Sequence, residues 1–319
     1  MVKAKKSRLK RPTIGDWVIV AFMLLLITAC ILPVLSVVAT SLSDPSAIVR
    51  REVAIIPRIE AEGVQIVDDV EQTYRYFPIG VNFDSYRDIL SDARFIRSLL
   101  WTVVLTAVAT ALQLTMTVLC AFPLTYHNLK GRKTITLIII FTMYFQAGLV
   151  PMYVLLENLG MINRPSSLVL PGLISVFLMI IMRKFFMGIP DSLKESAEID
   201  GAGPLTTLVK IYLPLSGPAI AFVGLMYAVG RWNGFVDALI FLPSPDAAQY
   251  RPIQVLLFHI LQGMQGVDTT LDAGAAAAPG RSVAVRNAAI VVAMAPILCV
   301  YPWLQKYFVA GATLGAIKG

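Results

Sequence analysis

Glu195-Ser196-Ala197-Glu198-Ile199-Asp200-Gly201-Ala202, running on to Ile211-Tyr212-Leu213-Pro214, is the stretch on which the reading of this chain turns. It forms the middle of a polar island, residues 187–216, between long hydrophobic runs. Asp191 and Ser192 follow Pro190, and Ser192 with Glu195 has the capping-box spacing, so a short helix is expected to start there. That helix carries Leu193, Ala197 and Ile199 on one side and Lys194, Glu195 and Glu198 on others. It stops at Gly201, where positive φ costs least. Pro204 suits the first position of a second short helix, which needs no N–H donor there, and Leu213-Pro214 closes it. The expected product is a knob of two short helices meeting at a glycine turn.

The knob is surrounded by membrane. The chain has 319 residues, 57% of them hydrophobic and only 15% charged, with a mean hydropathy of +0.72. That composition excludes an ordinary soluble domain. The apolar residues come in runs long enough to cross a bilayer core, which takes about 20 helical residues. Six spans are expected, at about 17–39, 98–121, 135–155, 167–182, 218–238 and 287–304.

Charge orients them. Six basic residues, Lys3, Lys5, Lys6, Arg8, Lys10 and Arg11, directly precede the first run. This is a positive-inside anchor, which places the N-terminus in the cytoplasm and accounts for much of the formal +7 without nucleic acid. The first run is longer than the apolar part of a signal peptide and lacks a convincing cleavage site, so it is read as retained. Lys130, Arg132 and Lys133 mark a cytoplasmic turn, Arg183 and Lys184 bring the chain back inside just before the knob, and the C-terminus ends inside. Domain by domain, 1–16 is a cytoplasmic basic tail, 17–39 the first span, 40–97 an external segment, 98–309 a five-helix core holding the loop 187–216, and 310–319 a cytoplasmic tail.

The external segment holds Val64-Gln65-Ile66-Val67 and Tyr74-Arg75-Tyr76-Phe77, strand-like pieces that allow a hairpin or a cap. After Pro78, Asn82 looks like a helix start, with Tyr86, Ile89, Leu90 and Ala93 at helical spacing, the alternative being a plain solvated loop. The proline- and alanine-rich stretch 243–286 reads as a flexible external loop.

Set in this membrane topology, Glu195, Ala197, Asp200, Gly201, Ala202, Ile211, Leu213 and Pro214 resemble the EAA loop of the membrane subunits of bacterial ATP-binding-cassette importers. Ser196 stands where that family usually has alanine. The resemblance implies an all-α integral membrane protein, the six-helix permease fold of type I importers, with the loop serving as a cytoplasmic coupling helix in a cleft of a separate ATPase subunit. Pro151, Leu159-Gly160, Asn163, Leu170-Pro171 and the tail from Gly311 resemble the sugar-importing, maltose-type branch. Met182-Arg183-Lys184-Phe185-Phe186 and Tyr301-Pro302-Trp303-Leu304 point, within it, toward oligosaccharide and uronate-polysaccharide permeases of the alginate type. The partners so implied are a second, homologous permease, two ATPase copies, an external solute-binding protein and the bilayer of the bacterial cytoplasmic membrane.

The resemblance also implies residue roles. Glu195, Ser196, Ala197, Asp200, Gly201, Ala202, Leu213 and Pro214 are the ATPase-coupling set. A Glu195 carboxylate suits a bidentate contact with an ATPase arginine, its competing role being the local cap with Ser192. Asp200 is either a contact or a helix-end hydrogen-bonder. For the solute path, Trp232, Asn233 and Asp237 cluster with Arg231 at one end of the fifth span, where an aromatic face beside an amide suits a sugar ring. The alternative is an interfacial tryptophan with snorkelling charges. Gln146 and Tyr153 are further path candidates against a packing role.

No reactive constellation is present. The two histidines, His127 and His259, fall on opposite sides of the membrane in this topology, which excludes a histidine metal site or acid/base pair. There is no GxxxxGK[ST] loop, since Gly131-Arg132-Lys133-Thr134 has its glycine misplaced. The chain is therefore expected to bind no cofactor and to be no enzyme, with ATP and Mg held by the ATPase partners. Cys30, Cys120 and Cys299 all sit in apolar runs and form no CxxC motif. An ion-driven secondary transporter would carry carboxylates at mid-depth, and the apolar runs hold none there. A permease of the same class for a non-sugar solute stays open.

Overall fold

The computed structural model describes residues 14–67, 70–145, 147–262 and 279–316. Among these the chain is helical apart from one two-stranded sheet. It divides into two compact units, 1–91 with 268–291 and 92–267 with 292–319.

The first unit opens with α1, Ile14–Ser41. Its apolar side chains from Trp17 to Leu35 are bare, as on a helix that is hydrophobic all round and lies in lipid. Burial begins at Ala39, where the chain enters the polar segment. Asp44 organises that segment. It precedes α2, Pro45–Val49, and its carboxylate accepts the Glu60 N–H at 2.6 Å and the Asn82 side-chain amide. The strand-like pieces do pair, as β1, Ala61–Val67, antiparallel to β2, Val70–Tyr76, with Ala61 opposite Tyr76. Gly63 leaves room there for the Tyr74 ring, whose end would lie 2.7 Å from a Cβ at that position and would have to swing aside for one. The Asn82 side chain accepts the Asp84 N–H at 2.7 Å and starts α3, Asp84–Ser91, so this piece is a helix with Ile89 buried and not a plain loop.

The second unit is built on α4, Ala93–Ala121, whose N-terminus is capped by Asp92 accepting from the Arg94 and Phe95 N–H groups. Then come α5, Arg132–Tyr144; α6, Leu149–Asn158; α7, Ser166–Val169; and α8, Val176–Phe186. The polar island forms α9, Asp191–Ile199; α10, Pro204–Thr207; a π-helical turn, Leu208–Tyr212; and α11, Leu213–Leu215. Last are α12, Gly217–Asn233; α13, Val236–Phe241; α14, Ile253–Gln262; and α15, Pro279–Ala316, which passes from one unit into the other.

The expected spans differ in continuity from the observed ones. α1, α4 and α15 are each long and apolar enough to cross a membrane alone. The third expected span, 135–155, breaks into α5 and α6 at an angle of 111°. Gly148 takes φ 84° at the break, and Pro151 falls in the first turn of α6, the one place in a helix where its missing N–H is harmless. The fourth, 167–182, is unwound from Leu170 to Ser175 around Pro171, leaving α7 and α8 on either side. The fifth, 218–238, stops at Gly234 and resumes as α13. The supposed flexible loop at 243–286 is structured over its first part, with a 3₁₀ turn at Pro245–Tyr250 followed by α14.

Long-range hydrogen bonds sort the second unit into two ends. At one, the Asn163 N–H donates to Phe241 O at 2.8 Å, and the Asn163 side-chain oxygen accepts the Ser244 N–H at 3.0 Å. There too Trp101 Nε1 donates to Tyr250 O at 2.6 Å, which gives the tryptophan a fixed place. The Arg251 guanidinium donates to the carbonyls of Leu242, Pro243 and Ser244, and so satisfies acceptors left over beyond the end of α13. The other end holds the turn after α4, the end of α8 and the polar island, tied by Arg183 Nε donating to Leu124 O at 3.0 Å. Between them α4, α8 and α12 share a core that includes Val118, Met179, Met182, Val223 and Tyr227.

Candidate functional site

At the polar island the chain forms the knob that its sequence describes, with two changes of detail. Pro190 occupies the position before α9 and no side chain caps the helix. Ser192 lies inside the first turn, where its carbonyl accepts the Ser196 hydroxyl at 2.9 Å. The expected capping box with Glu195 is therefore not made, and the Glu195 side chain stands exposed with no partner among the described residues. Ile199 also differs from expectation. Residues two apart on a helix point about 200° away from each other, so while Ala197 is buried, Ile199 is 86% exposed. Glu195 and Ile199, one turn apart, make an acidic and apolar outer face, with Asp200 exposed beside them.

The turn is a Schellman closure. Gly201 has φ 79°, its N–H donates to Glu198 O at 3.1 Å, and the Ala202 N–H donates to Ala197 O at 2.8 Å. A side chain at that φ costs roughly 1–2 kcal/mol. Pro204 then begins α10 as expected. Pro214 does not close the return limb. It lies inside α11, and the limb ends at Ser216. A proline has no N–H for the carbonyl one turn back, and the widened π turn immediately before it takes up that mismatch.

Two fixtures hold the knob to the base of the helices. Lys194 places its ammonium 3.6 Å from the centre of the Tyr126 ring and 3.8 Å from Glu198, a cation–π contact that joins α9 to the turn after α4. Burial, and then the Glu198 carboxylate, raise the Tyr126 pKa, so the ring under Lys194 stays a neutral phenol. On the return limb Leu208 and Tyr212 are buried. Tyr212 meets Phe122 edge-on at 5.0 Å and Phe186 at 5.6 Å, closing an aromatic box between the ends of α4 and α8. Leu213 is half-buried against the same core, while Pro214 is exposed. The exposed face is thus seated on the ends of α4 and α8 through packed rings.

The solute-path candidates come together only in part. Trp232 is 4% exposed, so neither face of its ring is open to a sugar in this chain. Asn233 is exposed, with its amide donating back to Val229 O at 3.0 Å. Asp237 lies 4.0 Å from Arg231. Tyr153 lies 6.5 Å from the Phe241 ring, in a packing contact. Gln146 lies outside the described residues.

What the sequence reading missed is a polar seam on α4. Thr102, Thr106, Thr110, Gln113 and Thr117 recur every three or four residues through an otherwise apolar span and so fall along one face. Thr102 accepts the Ile253 N–H at 2.8 Å, Gln113 Nε2 donates to Gly172 O at 2.7 Å, and Thr117 shares a 2.6 Å hydrogen bond with the Tyr227 hydroxyl. The periodic threonines and glutamine were the available signal.

Comparison with known proteins agrees with this geometry. Residues 113–313 match the family described as binding-protein-dependent transport system inner membrane component. A polygalacturonan/rhamnogalacturonan transport system permease, YtcP of Bacillus subtilis (strain 168), is 36% identical over 95% of this chain and 98% of its own length. Protein LplC of the same organism is 37% identical over 78% of this chain and 83% of its own. A crystal structure of a bacterial ABC transporter that imports the acidic polysaccharide alginate contains a chain that superposes with a TM-score of 0.80 at 28% identity, over 94% of this chain and all of that one.

Proposed function

Since the chain belongs to the family of inner membrane components of binding-protein-dependent transport systems, we propose that it carries acidic, uronate-containing oligosaccharides. It is an integral membrane permease subunit of an ABC importer for carbohydrate, and not itself an enzyme. Two relatives support the acidic class, since one serves polygalacturonan and rhamnogalacturonan and the other alginate. The finer assembly belongs to the same reading: a second permease completes the pathway, two ATPase copies bind ATP and Mg, and an external binding protein delivers the solute. Both termini of the chain are cytoplasmic, on the side of the knob.

The observation that carries the coupling role is the exposed Glu195–Ile199 face on a buried aromatic base. ATPase closure pushes on that face. Lys194 on Tyr126, and Tyr212 between Phe122 and Phe186, pass the push to α4 and α8. The bound solute then finds the pathway between the permeases open to the other side. This chain's own part is mechanical and steric, with hydrolysis on the partners.

The test is ATP-dependent uptake by the complete complex in proteoliposomes, with its binding protein. Oligogalacturonate is expected to accumulate about tenfold faster than its methyl ester, the difference that one charged hydrogen bond makes. Equal or faster uptake of the uncharged ester would overturn the acidic assignment.

A further inference from the structure

Arg231 is a guanidinium in the last turn of a membrane helix, with its side chain only 11% exposed. A charge in that position is costly and rarely without a task. Its only ion-pair partner among the described residues is Asp237, at 4.0 Å, the outer limit of such a contact, and Asp237 itself is 55% exposed. The Arg231 Nε is buried and makes no hydrogen bond.

Facing it across Gly172 is Gln113 of the α4 seam. The Gln113 amide nitrogen is engaged by Gly172 O, while its Oε1 is buried and unpartnered, as are the hydroxyls of Thr106 and Thr110 further along the same face. A Cβ built at Gly172 would lie 3.5 Å from Arg231 Nη2 and 3.7 Å from Gln113 Nε2. The glycine therefore sits between the two groups, and it is exposed. It belongs to the unwound stretch 170–175, and irregular backbone at membrane depth survives only where protein buries it or water lines it. That stretch leads into the N-terminus of α8, the positive end of its dipole, where Ser175 accepts from Leu178 and donates its own N–H to the Tyr227 hydroxyl. A guanidinium with a buried, unpartnered Nε and a break in the helix meet at one exposed glycine.

We infer that Arg231 is the carboxylate-reading residue of the solute path, taking the uronate carboxylate at the exposed Gly172. The inference rests on the acidic-oligosaccharide reading and assigns it a place. In transit the carboxylate replaces the weak contact with Asp237 by a charge-assisted, bidentate pair. Gly172 is exposed and brings no side chain of its own between solvent and the Arg231 guanidinium.

The same proteoliposome assay tests it, with oligogalacturonate and its methyl ester as probes. Arg231→Gln is expected to lower the ratio of charged to esterified uptake about tenfold below that of the wild type. Arg231→Lys, which keeps the charge but loses the bidentate fork, is expected to restore part of it. If Arg231→Gln slows both probes equally and leaves the ratio intact, the residue is structural and the inference falls, while the acidic reading stands. If the wild type shows no preference for the charged probe, the acidic reading has failed and the inference with it.

Discussion

Exchanging Ile199 for aspartate is expected to weaken the grip of the complex on its ATPase about a hundredfold. Ile199 is 86% exposed at the end of α9, with little packing against it among the described residues. Burying such a side chain in a partner's cleft is worth roughly 1.5–3 kcal/mol. A carboxylate in its place adds the cost of leaving a charge unpaired, and about 3 kcal/mol in all is roughly a hundredfold in affinity. The measurement is a titration of ATPase subunit onto the permease pair in detergent. Because Ile199 has little internal packing to lose, the thermal melting of the permease itself is expected to stay within about 1 °C of the wild type, as for a surface substitution of small effect. An unchanged titration would mean that this face meets water in the complex.

Tyr212→Ala should have the opposite signature, damage from within. The ring is 2% exposed and meets Phe122 and Phe186 edge-on. Truncating a buried aromatic costs about 3–5 kcal/mol through lost transfer energy and the cavity left behind. The knob would remain covalently present but sit on a loosened base, so melting temperature and hydrolysis stimulated by loaded binding protein are both expected to fall. Tyr212→Phe keeps the ring and is expected to recover both. An alanine variant with wild-type melting and stimulation would show that force does not pass through the aromatic box.

Much of the fold was legible in the chain itself, for identifiable reasons. The knob was readable because its instructions are local. Gly201 needs a left-handed turn and Pro204 tolerates a first helical position, and the structure has both. The presence of apolar spans was readable because hydrocarbon accepts little else. Continuity was not, because whether Pro151, Pro171 or Gly234 merely bends a span or breaks it depends on neighbours that satisfy the freed backbone groups. Asn163, bonded to Phe241 and Ser244, lies beyond any local window, as does Trp101, bonded to Tyr250.

The candidate site divides the same way. Glu195 and Gly201 are placed by spacing, and so is the exposure of Ile199, since Ala197 and Ile199 stand about 200° apart on the helix and cannot share a buried side. Trp232 looked like a sugar platform and is packed away, whereas Arg231 beside it meets Gln113 at Gly172, a meeting of three segments that no spacing reveals. The α4 seam was visible as threonines at helical intervals, but only its bonds to Ile253, Gly172 and Tyr227 distinguish it from chance.

The central claim is that the knob couples hydrolysis to transport. It is tested most directly by ATP hydrolysis of the reconstituted complex with and without loaded binding protein, comparing wild type with Glu195→Ala and Gly201→Val. Both variants are expected to assemble yet lose most of the stimulation, because one removes the carboxylate that no internal group uses and the other distorts the left-handed turn. Stimulation and uptake unchanged in both variants would contradict it.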